Sequence, residues 1–267
     1  MTTIRVPDSN DKRLNVFTGL TNHQLRNRLD PARGILIAES ENAIRVALEE
    51  KMEPLAFLLD ERKLRAMDDV LSSVPDDIPV YVLPTEEAAR ITGYAVTRGA
   101  LCALRRPLQP PVKELLEQAN RVVVLEGMTD ASNVGATFRN AAALGADAVV
   151  VAPSCADPLC RRSVRVSVGN VLRMPWTWAP QPWPTGLMDE LAAQGFARWA
   201  LALRDDAMPL DEVKTQDKIA LFLGAEGPGL TKQVIDTCNA CVIIPMSRGV
   251  DSLNVAAAGA IAMWHLF

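Results

Sequence analysis

Three times beyond residue 120 the chain runs an aliphatic strand directly into a polar loop. Val122-Val123-Val124-Leu125-Glu126 leads to Asn133–Arg139, Ile219–Leu223 leads to Gly224–Leu230, and Val242-Ile243-Ile244-Pro245-Met246 leads to Ser252-Leu253-Asn254-Val255. Short aliphatic runs bounded by turn residues are the signature of strands buried on both faces. Alternating with helices, such strands build a mostly parallel sheet. Ligands of open parallel sheets bind at the carboxyl ends of the strands, where the loops lie. The last loop opens an Ala-rich helix with Ser252 and Asn254, residues whose side chains accept from free backbone N–H groups. Three loops meeting at one sheet end make one pocket, and that convergence points to an enzyme.

The rest of the chain fits an α/β organisation in two parts. In residues 22–106, helix and strand alternate in short units. Leu25 and Leu29 mark a first helix, Gly34–Ala38 a strand, and Ser40 caps a helix to about Lys51 through Ala43, Ile44, Ala47 and Leu48. Further strands are predicted at 55–59, 80–83 and 100–104, with helices at 61–71 and 85–91. Pro107-Leu108-Gln109-Pro110-Pro111 reads as a stiff linker, because proline favours extended backbone and removes donors. The division expected is a domain of 1–106, a linker of 107–117 and a second domain of 118–267. In the second, strands are predicted at 121–126, 147–152, 196–203, 219–224 and 241–245, with a short one near Trp176. Helices are predicted near 133–145, 158–169, 186–194, 230–238 and 253–266.

Composition narrows the function. The longest apolar runs fall short of a membrane span, and the first residues lack the apolar core of a secretory signal, so a cytoplasmic protein with no membrane partner is expected. The net charge of −4 argues against indiscriminate nucleic-acid binding but leaves room for a local basic face. The stretch from Arg161 through Arg173, with four arginines and no acid, supplies one candidate, in which Arg161, Arg162 and Arg165 are expected to meet RNA phosphates. The five cysteines are scattered, and the two histidines lie at opposite ends. Cys238-Asn239-Ala240-Cys241 has redox or zinc spacing, but Cys241 opens a buried strand where cysteine acts as a small hydrophobe, so no metal is expected. Neither glycine run has the G-x-G-x-x-G spacing of a dinucleotide loop, which disfavours a nucleotide-dependent small-molecule enzyme.

Taken in order, Asn133-x-Gly135-x-x-x-Arg139-Asn140-Ala141, Leu223-Gly224-Ala225-Glu226-Gly227-x-Gly229-Leu230, and Ile244-Pro245-Met246 with Ser252-Leu253-Asn254-Val255 closely resemble the three motifs of the SPOUT-class TrmH/SpoU family of RNA 2′-O-ribose methyltransferases. The resemblance runs from the linker to the end. The first domain resembles, on weaker signals, the L30e/L7Ae-like RNA-binding domain that often precedes this unit. One departure stands out: many relatives place glycine two residues after the methionine, whereas Met246 is followed by Ser247-Arg248-Gly249.

The resemblance implies an α/β fold whose C-terminal, mostly parallel sheet carries a deep trefoil knot, a rare exception to unknotted topology. It implies a homodimer and S-adenosylmethionine as methyl donor. Leu203, Gly224, Ile244 and Leu253 are the implied donor-binding positions, acting chiefly through backbone groups. Arg139 matches the family's catalytic arginine. Because arginine stays protonated, its expected work is to bind the target phosphate and stabilise developing charge on the 2′-oxygen. Asn133 is expected to cap the helix carrying Arg139 or to position the ribose. Glu226 either orients Asn133 or a substrate group, or holds its turn. Ser252 and Asn254 cap the last helix or bind substrate. The proton acceptor stays open, since the motifs contain no Lys, His or Cys. The function expected is an RNA 2′-O-ribose methyltransferase, with structured ribosomal RNA favoured over tRNA. The alternatives are a tRNA 2′-O-methyltransferase and a non-catalytic RNA-binding protein that keeps the knot.

Overall fold

In a computed structural model describing residues 2–27, 30–92, 99–214, 216–249 and 252–267, the chain divides into two compact units. The first comprises Met1–Leu108 with Leu159–Arg173, and the second Gln109–Pro158 with Met174–Phe267.

The first unit is built on a five-stranded mixed sheet of β1 (Thr2–Arg5), β2 (Ile35–Glu39), β3 (Pro54–Asp60), β4 (Pro79–Leu83) and β5 (Ala100–Arg105), in the order β1-β4-β3-β5-β2. The pairs β1–β4 and β3–β4 are parallel, whereas β5 runs antiparallel to both its neighbours. Ile37, Ala56, Leu58, Leu101 and Ala103 form one face of its core with Leu14 and Phe17. Ser40 caps the helix Glu41–Glu49 by accepting from Ala43 N, and Ala43, Ile44 and Ala47 are its buried stripe. The helix predicted over 61–71 is instead two 3₁₀ turns, Glu61–Lys63 and Arg65–Met67, and a short α-helix, Asp68–Ser72. Asp60, accepting from Arg62 N at 2.9 Å, starts the first turn. The edge strand β1 was not expected, since Ile4 is its one large apolar residue. Leu25 lies in the helix Asn22–Arg26; Leu29, the other residue marking that helix, lies outside the described residues.

Residues 159–173, placed by the sequence in the second domain, pack with the first unit. The helix Arg161–Val166 lies against β2, and Gly169 comes so close to Val46 and Ala43 that a Cβ there would sit 3.1 to 3.2 Å from them. The charges agree with this placement. Glu39 is 1% exposed and accepts from Arg161 Nε at 2.8 Å, with Arg165 Nη1 at 3.6 Å. Arg173 pairs with Glu49 and Glu50. Arg161, Arg165 and Arg173 thus have carboxylate partners within this unit, and Arg161 and Arg165 neutralise a buried one.

The second unit holds an all-parallel, seven-stranded sheet. Its strands are β6 (Arg121–Leu125), β7 (Ala148–Val151), β8 (Trp176–Trp178), β9 (Ala197–Leu201), β10 (Met208–Pro209), β11 (Ile219–Leu223) and β12 (Ala240–Ile243), in the order β10-β12-β9-β11-β6-β7-β8. β11 and β7 are fully buried, as their unbroken aliphatic sequence requires. β10, two residues long, had no sequence signal. Among the described residues no helix is long and apolar enough to cross a membrane. The neighbours β12, β9, β11 and β6 bring the ends of the three motif strands side by side, which locates the site.

Candidate active site

At the carboxyl ends of β9, β11 and β12 lies a cavity of about 490 Å³. Leu203, Gly224, Ile244 and Leu253, the four positions expected to hold a donor, all line it, as do Glu226, Ser252 and Asn254. The remaining wall is largely aliphatic, including Leu201, Val242, Met246 and Val255, and among the described residues Glu226 is its one charged lining residue. Such a slot suits a flat, mostly apolar ligand held by backbone groups.

The middle loop owes its shape to glycine. A Cβ on Gly224 would lie 2.3 Å from the backbone of both Gly229 and Leu230, so no other residue fits there. Ala225 and Gly229 exchange backbone hydrogen bonds at 3.2 and 3.0 Å and close the loop, leaving Glu226 at its exposed tip.

Asn254 joins the three motifs. Its Oδ1 accepts from Ala256 N at 3.0 Å and Ala257 N at 3.3 Å, capping the helix Val255–Leu266. With the oxygen so committed, its Nδ2 donates to Asn133 Oδ1 at 2.9 Å and to Glu226 Oε1 at 2.5 Å. The capping expected of Asn254 is therefore present together with a polar clamp. Glu226 is held by this clamp. Asn133 does not cap its own helix: the helix Ala131–Ala143 begins two residues earlier, and Asp130 caps it by accepting from Ser132 N at 2.8 Å. Asn133, inside the first turn, turns its side chain to Asn254 instead. Ser252 is exposed beside Asn254.

Arg139 does not line the cavity. It is exposed and makes no hydrogen bond or ion pair among the described residues. Its neighbour Asn140 donates from Nδ2 to the Ala256 carbonyl at 2.8 Å, fastening the arginine-bearing helix to the first turn of the last one.

Two supports escaped the sequence reading. Asn140 lay inside a quoted motif, but nothing distinguished its role from that of its neighbours. Glu126, 3% exposed, accepts from Trp183 Nε1 at 2.9 Å, Thr231 N at 2.8 Å and Thr231 Oγ1 at 2.9 Å. Thr231 also caps the helix Lys232–Thr237, so Glu126 latches the exit of the glycine loop to the end of β6. A carboxylate ending a run of buried aliphatics was its one signal. Burial pushes the Cys155 thiol up to about 11 and Cys238 up to about 12, which suppresses their thiolates near neutrality. Among the described residues no three His, Cys, Asp or Glu side chains come together in a group fit to hold a metal.

Comparison with known proteins fits this geometry. The SpoU rRNA Methylase family model matches residues 120–264, more than half of the chain. The chain belongs to that family. The resemblance read from the three motifs is thereby confirmed, and the protein is a methyltransferase. An uncharacterized tRNA/rRNA methyltransferase of Mycobacterium bovis is 41% identical over 97% of this chain and 90% of its own length. The 23S rRNA (guanosine(2553)-2′-O)-methyltransferase RlmP of Bacillus subtilis is 28% identical, covering 73% of this chain and 75% of its own. The crystal structure of an AdoMet-bound rRNA methyltransferase from Sinorhizobium meliloti matches with a TM-score of 0.82 over 98% of this chain and 97% of that one, at 20% identity. At that identity the likeness speaks to the fold, an α/β architecture with a largely parallel sheet.

Proposed function

We propose that this family member transfers a methyl group from S-adenosylmethionine to a ribose 2′-hydroxyl of ribosomal RNA. The observation that carries the reading is the clamp of Asn254 on Asn133 and Glu226 at the mouth of the cavity lined by Leu203, Gly224, Ile244 and Leu253. The cavity fits the donor: its size, its aliphatic wall and the close backbone approach at Gly224 suit a nucleoside held by amides and carbonyls. When bound, S-adenosylmethionine supplies an electrophilic methyl on a sulfonium.

The chain's own residues align and polarise the acceptor. Asn133 accepts with Oδ1 from Asn254, which leaves its Nδ2 to donate to the ribose. Arg139, permanently charged and unpaired among the described residues, binds the adjoining phosphate and stabilises negative charge growing on the 2′-oxygen. Ribosomal RNA is preferred as target because the named relatives with resolved specificity act on 23S rRNA. A cytoplasmic location, expected from the sequence, belongs to the same proposal.

The same proposal includes the knot, the dimer and the RNA-binding role of the first unit. The knot is supported by the family and by the C-terminal strand and helix meeting the loops after β9 and β11. The dimer is supported by the last helix, which is apolar all round yet exposes Ile261 at 43% and Trp264 at 80%. The first unit's mixed α/β sheet is compatible with an L30e/L7Ae-like domain.

The test is methyl transfer from labelled S-adenosylmethionine to ribosomal RNA, with the product digested and read by mass spectrometry as a 2′-O-methyl nucleoside. Arg139→Ala should lower transfer at least a hundredfold while calorimetry shows donor affinity nearly intact, because Arg139 lies outside the cavity. Base methylation, or donor affinity lost with Arg139, would refute the assignment.

A further inference from the structure

Between Met246 and Ser252, both in the cavity wall, the third motif's loop passes through Arg248 with a backbone φ of 60°. This is the left-handed region, where a Cβ crowds the following carbonyl and where glycine, or next best asparagine, is at ease. Gly249 follows in the same region, with φ 70°. Folding alone thus gives no reason for arginine here.

Its surroundings point to a ligand outside the chain. Arg248 is exposed and, among the described residues, forms no hydrogen bond or ion pair. Arg204, the arginine next to Leu203 across the same cavity, differs: it is bonded to Asp206 at 2.7 and 2.8 Å and lies 3.8 Å from Asp236. Among the described residues, the loops around the cavity therefore carry one neutralised arginine and one with its charge unspent. Non-glycine residues held in such backbone cluster at active sites and ligand clamps.

We propose that Arg248 is a substrate-positioning residue whose guanidinium binds a phosphodiester of the RNA beside the target ribose. The inference rests on the RNA methyltransferase reading. A phosphodiester is favoured over the donor's carboxylate because Arg248, unlike Met246 and Ser252, does not line the cavity. Planar, forked donors suit phosphate oxygens, and each such contact contributes one released counterion to the salt dependence of binding.

The experiment compares the wild type with Arg248→Gly, Arg248→Asn and Arg248→Lys, using transcribed 23S ribosomal RNA as probe. Glycine and asparagine relieve the backbone strain, so their melting temperatures should equal or exceed the wild type's. Both should raise KM for RNA by about tenfold, with the larger share of the loss in KM rather than kcat. Both should also lower the slope of log affinity against log salt by about 0.7 to 0.9. Lysine should recover the slope and only part of the KM. Unchanged slope and KM in the glycine variant would overturn the proposal, as would a loss of S-adenosylmethionine affinity by calorimetry, which would assign Arg248 to the donor. If the wild type binds RNA without methylating it, the enzymatic reading fails and the salt slopes alone decide on Arg248. If the wild type does not bind RNA, both fail.

Discussion

Both ends of the Asn254 amide are occupied, and they do different work. The oxygen stabilises a helix, and the nitrogen gathers Asn133 and Glu226 from two other loops. Substitution separates the two. Asn254→Ala loses the cap and the clamp: stability should fall by about 1 kcal/mol, or roughly 2–4 °C in melting temperature for a unit of this size. Asn254→Ser keeps a capping oxygen but no second donor, so its stability should stay within a few tenths of a kcal/mol of the wild type. Both should lose at least tenfold in methyl transfer, measured with saturating donor; a serine variant with full activity would reduce Asn254 to a cap. At this scale the sequence was informative about residue identity and less so about role. Asn254, Glu226 and Asn133 stood out through their motifs, but their bonding needed the helix start at Ala131, two residues before the expected one. That shift moves Asn133 from cap to clamp, and helix ends are where pattern reading is weakest.

The stretch from Arg161 to Arg173 shows how charge patterning misleads when the partner is distant in sequence. Four arginines without an acid read as a phosphate-binding stripe, yet Glu39, more than a hundred residues earlier, takes two of them. A buried carboxylate stripped of its cation is costly, and the penalty is moderated here because Arg161 keeps about a quarter of its side chain exposed. Arg161→Ala should therefore destabilise the protein by about 2 kcal/mol, seen as an earlier denaturant midpoint, and leave the salt slope of RNA binding unchanged. A flattened slope at wild-type stability would return Arg161 to the RNA interface. The strands fared better. β6, β7, β11 and β12 appeared within a residue or two of prediction, because a run of buried aliphatics is a local signal. β1, short and mostly polar, and β10, only two residues long, exist only through the strands they pair with.

At the scale of the whole molecule, the two sheets were legible as α/β from alternation alone, whereas strand order was not. Nothing local in Ala240–Ile243 says that it pairs with β9 and β10, because parallel neighbours are joined by long crossovers whose pairing is settled by packing. The proposed dimer rests on the exposed face of one helix. The last helix buries Val255, Ala256, Gly259, Ala262, Met263 and Leu266 within its own chain, while Ala257, Ile261 and Trp264, spaced by four and three, form an outward stripe. A tryptophan 80% exposed on such a stripe gains nothing from its own chain. Trp264→Arg places a cation near the helix's carboxyl end, where the dipole tolerates it, so the fold itself should change by no more than about 0.5 kcal/mol. Across a two-fold axis, however, two such charges would face each other with their apolar contact removed. Sedimentation should then report a shift from twice the chain mass to the single chain, with the melting temperature becoming independent of protein concentration. A variant that still sediments as a dimer would place the interface on another face.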